Sequence, residues 1–222
     1  RPVLVAGRGS RRPEAVKWLR ALAEALPAPV LVTPSAKGVI PDPHPLAFGV
    51  LGNRIGAALV ARSDLVVAIG VDEGEIAPSW WPAAPAISVG PRALEDVRPA
   101  VRVVGEIPVI LEELAPRLRA RERADWDVAE LDRLKRQLAA PLGHDAPFGP
   151  TRIVELAREA TAAGTIAAVD AGPFRDAALG RWHAIGPLEL LAPPEPARRG
   201  FALPAALAAA LCHPDRRVLC LA

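Results

Sequence analysis

The sequence predicts an α/β fold: a mostly parallel sheet with helices on both faces, followed by a second, incomplete α/β unit. Three observations carry this. Short apolar runs alternate with longer amphipathic ones up to about residue 119. The composition, 51% hydrophobic and 23% charged, suits a globular chain that buries a core. Between residues 120 and 150 charge and proline replace the alternation, and a new helix–strand pattern then begins.

Taken in order, Val3 to Ala6 reads as a buried strand that ends at Gly7-Arg8-Gly9-Ser10. Pro13 suits the first turn of a helix, Val16, Leu19, Leu22, Ala23 and Leu26 recur at helical spacing, and Pro27 stops the run. Val30-Leu31-Val32 is a second strand, followed by the loop Thr33 to Gly38 and the proline-rich Pro41 to Pro45. Gly49 and Gly52 precede a helix over roughly Ile55 to Ala61. Leu65 to Ile69 is the clearest strand and ends at Gly70; Ala86 to Val89 and Val101 to Val104 are two more. Ile107 to Leu118 closes the unit as a helix. Strands this short, placed between helices, imply crossover connections and a parallel sheet. Residues 1–120 are therefore expected to form one domain and 121–150 a linker. That linker holds the charged run Arg121 to Asp125 and a helix with the narrow stripe Val128, Leu131, Leu134 and Leu138. Residues 151–222 open the second unit, with a helix from Pro150, a strand over Thr165 to Val169 and a helix over Phe201 to Leu211. A final strand follows Asp215, whereas Ala177 to Pro196 shows no readable pattern.

Composition also excludes classes of function. Net charge is +2, from 27 basic against 25 acidic residues, so there is no basic platform for nucleic acid. Two cysteines exclude a disulfide scaffold and a Cys-based zinc cluster. No run of about 18 apolar residues is free of charge or proline, so no membrane span is expected. The expected compartment is the cytoplasm. The chain has no methionine, and it opens and closes inside apolar runs. These features predict an internal piece of a longer protein.

Ligands of such sheets sit at the carboxyl ends of the strands. Gly7, Arg8 and Gly9 can hold an anion on backbone N–H groups or can simply form a tight turn. Lys37, near Thr33 and Ser35, can contact a nucleotide or carboxylate or can be a solvated lysine. Asp72, Glu73 and Glu75 can bind a ribose or a metal, or can be a solvated turn. Asp170-Ala171-Gly172 can meet a cofactor or be an ordinary turn. His44, His144, His183 and His213 form no nucleophile–base pair and no metal site, so no catalytic or metal-binding residue is assigned. Trp80-Trp81 reads as a hydrophobic lid or subunit contact.

The succession of motifs resembles the middle and early C-terminal parts of the thiamine-diphosphate enzymes of the acetolactate synthase, benzoylformate decarboxylase and pyruvate oxidase superfamily. The residues that carry it are Pro2 to Gly9, then Thr33, Ala36-Lys37-Gly38, Pro41 and His44-Pro45, then Gly49 and Gly52, and then Ser63 to Gly70. Asp170-Ala171-Gly172, Gly200 to Ala206 and Pro214-Asp215-Arg216 continue it. The resemblance implies a Rossmann-like central domain of the DHS-like type, then an incomplete domain of thiamine-diphosphate-binding type. It implies a parent enzyme that uses thiamine diphosphate and magnesium on a small-molecule 2-oxo acid, by decarboxylation or carboligation, as a homo-oligomer.

It also implies site positions. Asp170, Gly172, Pro173, Phe174, Gly200 and Phe201 lie on the thiamine side. Gly7, Arg8, Gly9, Thr33, Ser35, Lys37, Gly49, Gly52 and Gly70 lie on a nucleotide side. The family's activating glutamate lies in a preceding domain, and its Gly-Asp-Gly metal motif is expected after Ala222, so this polypeptide alone is predicted to be inactive. Leu51 and Asp72 stand where acetolactate synthases have histidine and arginine. An acid at Asp72 repels a diphosphate, so no tight FAD is expected. Pro173-Phe174 replaces the usual polar pair, and Arg199 the usual methionine. Two alternatives stay open: a nucleotide- or coenzyme A-binding α/β module, and a non-catalytic structural paralogue.

Overall fold

Strands buried on both faces show continuous apolar runs rather than alternation, and the first sheet is built from such runs. A computed structural model describes residues 1–76, 83–94, 99–119, 124–139, 148–193 and 197–222. Trp80-Trp81, Arg121-Glu122-Arg123 and His144 fall outside the described residues. The first sheet comprises β1 (Pro2–Ala6), β2 (Val30–Val32), β3 (Ala47–Val50), β4 (Leu65–Ile69), β5 (Ala86–Gly90) and β6 (Val101–Val104). These six strands are ordered β3-β2-β1-β4-β5-β6, and every pairing is parallel.

Successive side chains of β1 serve opposite layers. Leu4 and Ala6 join Leu19 and Leu22 of α1 (Pro13–Ala25) and Leu111 of α3 (Ile107–Arg119). Val3 and Val5 join Ile55 and Leu59 of α2 (Arg54–Arg62) on the other face. β6 is one of the two edge strands, and its Val101 and Val104 remain exposed.

β3 has no counterpart in the sequence pattern. It is four residues long, contains Gly49 at φ +78°, and pairs with β2 through a shifted register. A short, glycine-interrupted strand leaves too little periodicity to read. Asn53 then starts α2, accepting a 2.7 Å hydrogen bond from the Gly56 N–H.

Inside the stretch 121–150 lies α4 (Val128–Ala139). Trp126 and Leu131 are buried against the second layer of the first sheet, with Leu134 and Leu138 beside them. The Trp126 indole N–H donates to the Pro2 carbonyl at 2.8 Å, and Arg62 pairs with Glu130. The leucine stripe thus faces the sheet, and the charged side of the helix faces water.

The second unit has its own sheet, β8-β7-β9, also parallel. Its elements are α5 (Pro150–Glu159), β7 (Ile166–Val169), α6 (Pro173–Arg181), β8 (Leu190–Leu191), α7 (Ala202–Cys212) and β9 (Val218–Leu221). β7 is buried along its length, and Trp182, at the end of α6, is its largest fully buried neighbour. The second half of α6, from Ala177, and β8 fall in the region without a readable pattern. α6 has glycine at both ends of its reach, and β8 is only two residues long. Among the described residues no helix is long and apolar enough to cross a membrane.

Candidate functional site

The order 3-2-1-4-5-6 places β1 beside β4, with the helices after β1 and before β4 on opposite faces. Connections diverge at that point and leave a crevice at the carboxyl edge. Gly7, Gly9 and Gly70 meet there. A Cβ on Gly7 would lie 2.3 Å from the Val71 Cα, and one on Gly70, which has φ +62°, 2.7 Å from the Ser10 nitrogen. The Gly9 N–H donates to the Gly70 carbonyl at 2.7 Å, and the buried Ser10 hydroxyl donates to the Ile69 carbonyl at 2.8 Å. The space these glycines leave open is filled by the neighbouring strand exit.

The acidic cluster reaches into the same crevice. One oxygen of the Glu75 carboxylate accepts the Thr33 hydroxyl at 2.8 Å, and the other accepts the Asp72 N–H at 2.9 Å. The Arg8 N–H is shared between the two oxygens at 3.2 and 3.0 Å. The Arg8 guanidinium donates to Asp72 through Nε at 2.9 Å and Nη2 at 2.6 Å. That hydrogen bond to Asp72 raises the Arg8 pKa above its ordinary value. Gly7, Arg8, Gly9, Thr33 and Gly70 therefore lie together at one crevice, and a carboxylate of the chain itself sits among them. Ser35 lies in the short 3-10 turn after β2.

Beyond Glu75 a cavity of about 770 Å³ runs between the first sheet and the second unit. Gly49, Gly52, Leu51 and Ile76 line one wall, and Leu138 of α4 and Leu179 of α6 close the other. Lys37 lines its floor but is only 3% exposed, and its ammonium is paired with Asp42 at 2.8 Å. The same Asp42 oxygen accepts the Ala184 N–H at 2.7 Å, and the Asp42 N–H donates to the Ala184 carbonyl at 2.9 Å. Lys135 of α4 adds hydrogen bonds to the Asp42 and Ala47 carbonyls, and burial lowers its pKa. Sequence reasoning passed over Asp42 and Lys135. The partners of Asp42 stand up to 142 positions away, so no local pattern marks it.

At the second sheet, Asp170 follows β7 and fastens the start of α7. Its carboxylate accepts the Gly200 and Phe201 N–H groups, each at 2.9 Å. These two bonds hold its pKa below the ordinary carboxyl value. Gly172, φ +109°, and Gly200, φ +86°, have open space where a side chain would be. Pro173 and Phe174 begin α6, and Phe174 packs partly into the core beneath β7. Asp170, Gly172, Pro173, Phe174, Gly200 and Phe201 thus share one edge.

Residues 1–114 match the family model described as thiamine pyrophosphate enzyme, central domain. The chain is 29% identical over 231 residues to acetolactate synthase isozyme 1 large subunit of Escherichia coli, covering 99% of this chain and 41% of that protein. It is 30% identical to acetolactate synthase of Mycobacterium bovis, covering 98% of this chain and 38% of the relative. It is 31% identical to the probable 2-ketoarginine decarboxylase AruI of Pseudomonas aeruginosa, covering 97% and 40%. The chain thus spans about two fifths of the length of these curated relatives. The matched stretch contains all six strands of the first sheet, and the protein belongs to the thiamine pyrophosphate enzyme family.

Proposed function

We propose that this chain supplies the central layer and the opening part of the cofactor layer of a thiamine-diphosphate enzyme acting on a 2-oxo acid. The observation that supports this is the near-complete alignment of the chain with acetolactate synthases over about two fifths of their length. Thiamine diphosphate, when bound, supplies a nucleophilic carbon and an electron sink for decarboxylation or carboligation.

The described residues do not make a complete site for it. Magnesium needs several oxygen ligands converging on one point. Asp170 is already bound to two amides, and no group of three or more His, Cys, Asp or Glu gathers to hold a metal among the described residues. What the edge offers is an open backbone rim at Gly172 and Gly200. In this reading Asp170 acts as a positioning residue that holds that rim in place. The 222-residue chain alone is inactive, and the assembled parent is an oligomer.

Two measurements test the reading. Titrating the chain with thiamine diphosphate and magnesium is expected to give no saturable micromolar binding; such binding overturns the claim that the site is incomplete here. The natural gene product that contains these residues is expected to release carbon dioxide from a 2-oxo acid only when both additives are present. Failure with pyruvate and longer 2-oxo acids, with no cofactor binding, removes the enzymatic reading.

A further inference from the structure

The crevice between β1 and β4 gathers the donors that hold a phosphate in folds of this order: backbone N–H groups at strand exits and a hydroxyl from the neighbouring strand. Here the Arg8 N–H, the Asp72 N–H and the fully buried Thr33 hydroxyl all point at the two oxygens of Glu75. Of the guanidinium groups near the crevice, that of Arg8 is held by Asp72, and that of Arg11 donates through Nε to the Arg8 carbonyl at 3.2 Å. The three donors and the Arg8 guanidinium are thus matched by two carboxylates of the same chain.

We infer that Glu75 is a specificity-determining residue. Its carboxylate takes the place of a ligand phosphate at the centre of the first sheet, and with Asp72 it makes the crevice reject diphosphate-bearing ligands. Two effects act together. The donors that would bind phosphate oxygens are already satisfied. An incoming diphosphate would also face two like charges within the same few ångströms, where partial burial weakens screening. The adjoining cavity begins at Glu75 and Ile76, so an occupant of that cavity meets a carboxylate where a dinucleotide would need a donor. This inference stands on the crevice geometry alone and does not depend on the thiamine reading.

The test is calorimetric titration of the 222-residue chain and its variants with ADP and with inorganic pyrophosphate. The unmodified chain is expected to show no saturable heat with either. Glu75→Ala is expected to bind both, and Glu75→Ala combined with Asp72→Asn, which frees Arg8, to bind them about tenfold tighter again. Micromolar ADP binding by the unmodified chain overturns the inference. So does a folded double variant, with unchanged circular dichroism and a cooperative melt, that binds neither compound. Should Glu75→Ala fail to fold, Glu75→Ser carries the same test, because its short neutral side chain also vacates the space and releases the donors.

Discussion

At the scale of single residues, Gly38 shows how tightly the two units meet. Its φ is +89°, and a Cβ there would lie 2.0 Å from the Gly186 carbonyl oxygen. Gly38→Ala therefore adds backbone strain to a collision with main chain, and the conformation alone costs about 1–3 kcal/mol. The urea midpoint is expected to fall accordingly; an unchanged midpoint would mean that the two loops do not touch. Asp170 makes a pH-dependent statement. Its pKa is depressed in the folded chain, so its contribution is complete above the unfolded value of about 4 and fades as pH falls through the lower native value. The amide shifts of Gly200 and Phe201 are expected to follow this protonation, with a midpoint below the ordinary carboxyl value. Asp170→Asn removes the transition, and a midpoint above the ordinary carboxyl value contradicts the clamp.

At the scale of elements, α2 and α4 carry the clearest tests. Asn53 caps α2, and its amide also donates to the Phe48 and Val50 carbonyls at 3.0 and 2.8 Å. Asn53→Ala is expected to cost about 0.5–2 kcal/mol, read from chemical denaturation. The cost lies toward the upper end, because β3 loses its tie to the helix as well. Trp126 is 7% exposed and hydrogen-bonded to Pro2. Trp126→Ala is expected to destabilise the first unit by about 3–5 kcal/mol, the range for deleting a large buried aromatic. A loss under about 1 kcal/mol would show that α4 swings free of the sheet, as surface substitutions do.

At the scale of the whole molecule, Asp42 connects three segments distant in sequence: the loop after β2 through Lys37, the loop after α6 through Ala184, and α4 through Lys135. Such a buried pair need not add much net stability, but removing one member strands the other. Lys37→Met is expected to destabilise by about 3–5 kcal/mol. If the unit boundary is the weak point, thermal melts followed by the amide signals of β1 and of β7 will separate in this variant. Coincident, unshifted melts would show that Asp42 does not join the units.

The strands β1, β2, β4, β5 and β6 and the helices α1, α2 and α3 were legible because burial on a sheet or helix imposes a period on neighbouring residues, and neighbouring residues are what a sequence displays. The glycine-broken β3 and the two-residue β8 escaped because that period needs length. The nearness of Gly7, Arg8, Gly9, Thr33 and Gly70 was legible, because each sits at a strand exit on the same edge of the sheet. The occupancy of that crevice was not, since Thr33 and Glu75 meet across 42 positions and Arg8 and Glu75 across 67. Lys37, as able on paper to contact a nucleotide or carboxylate as to be a solvated lysine, is buried and committed to Asp42 by the way the loops pack. Sequence alone determined which segments bury themselves and in what form. Only the tertiary structure decided which charges meet, because a charge is satisfied by whatever group the fold brings within about 3 Å of it.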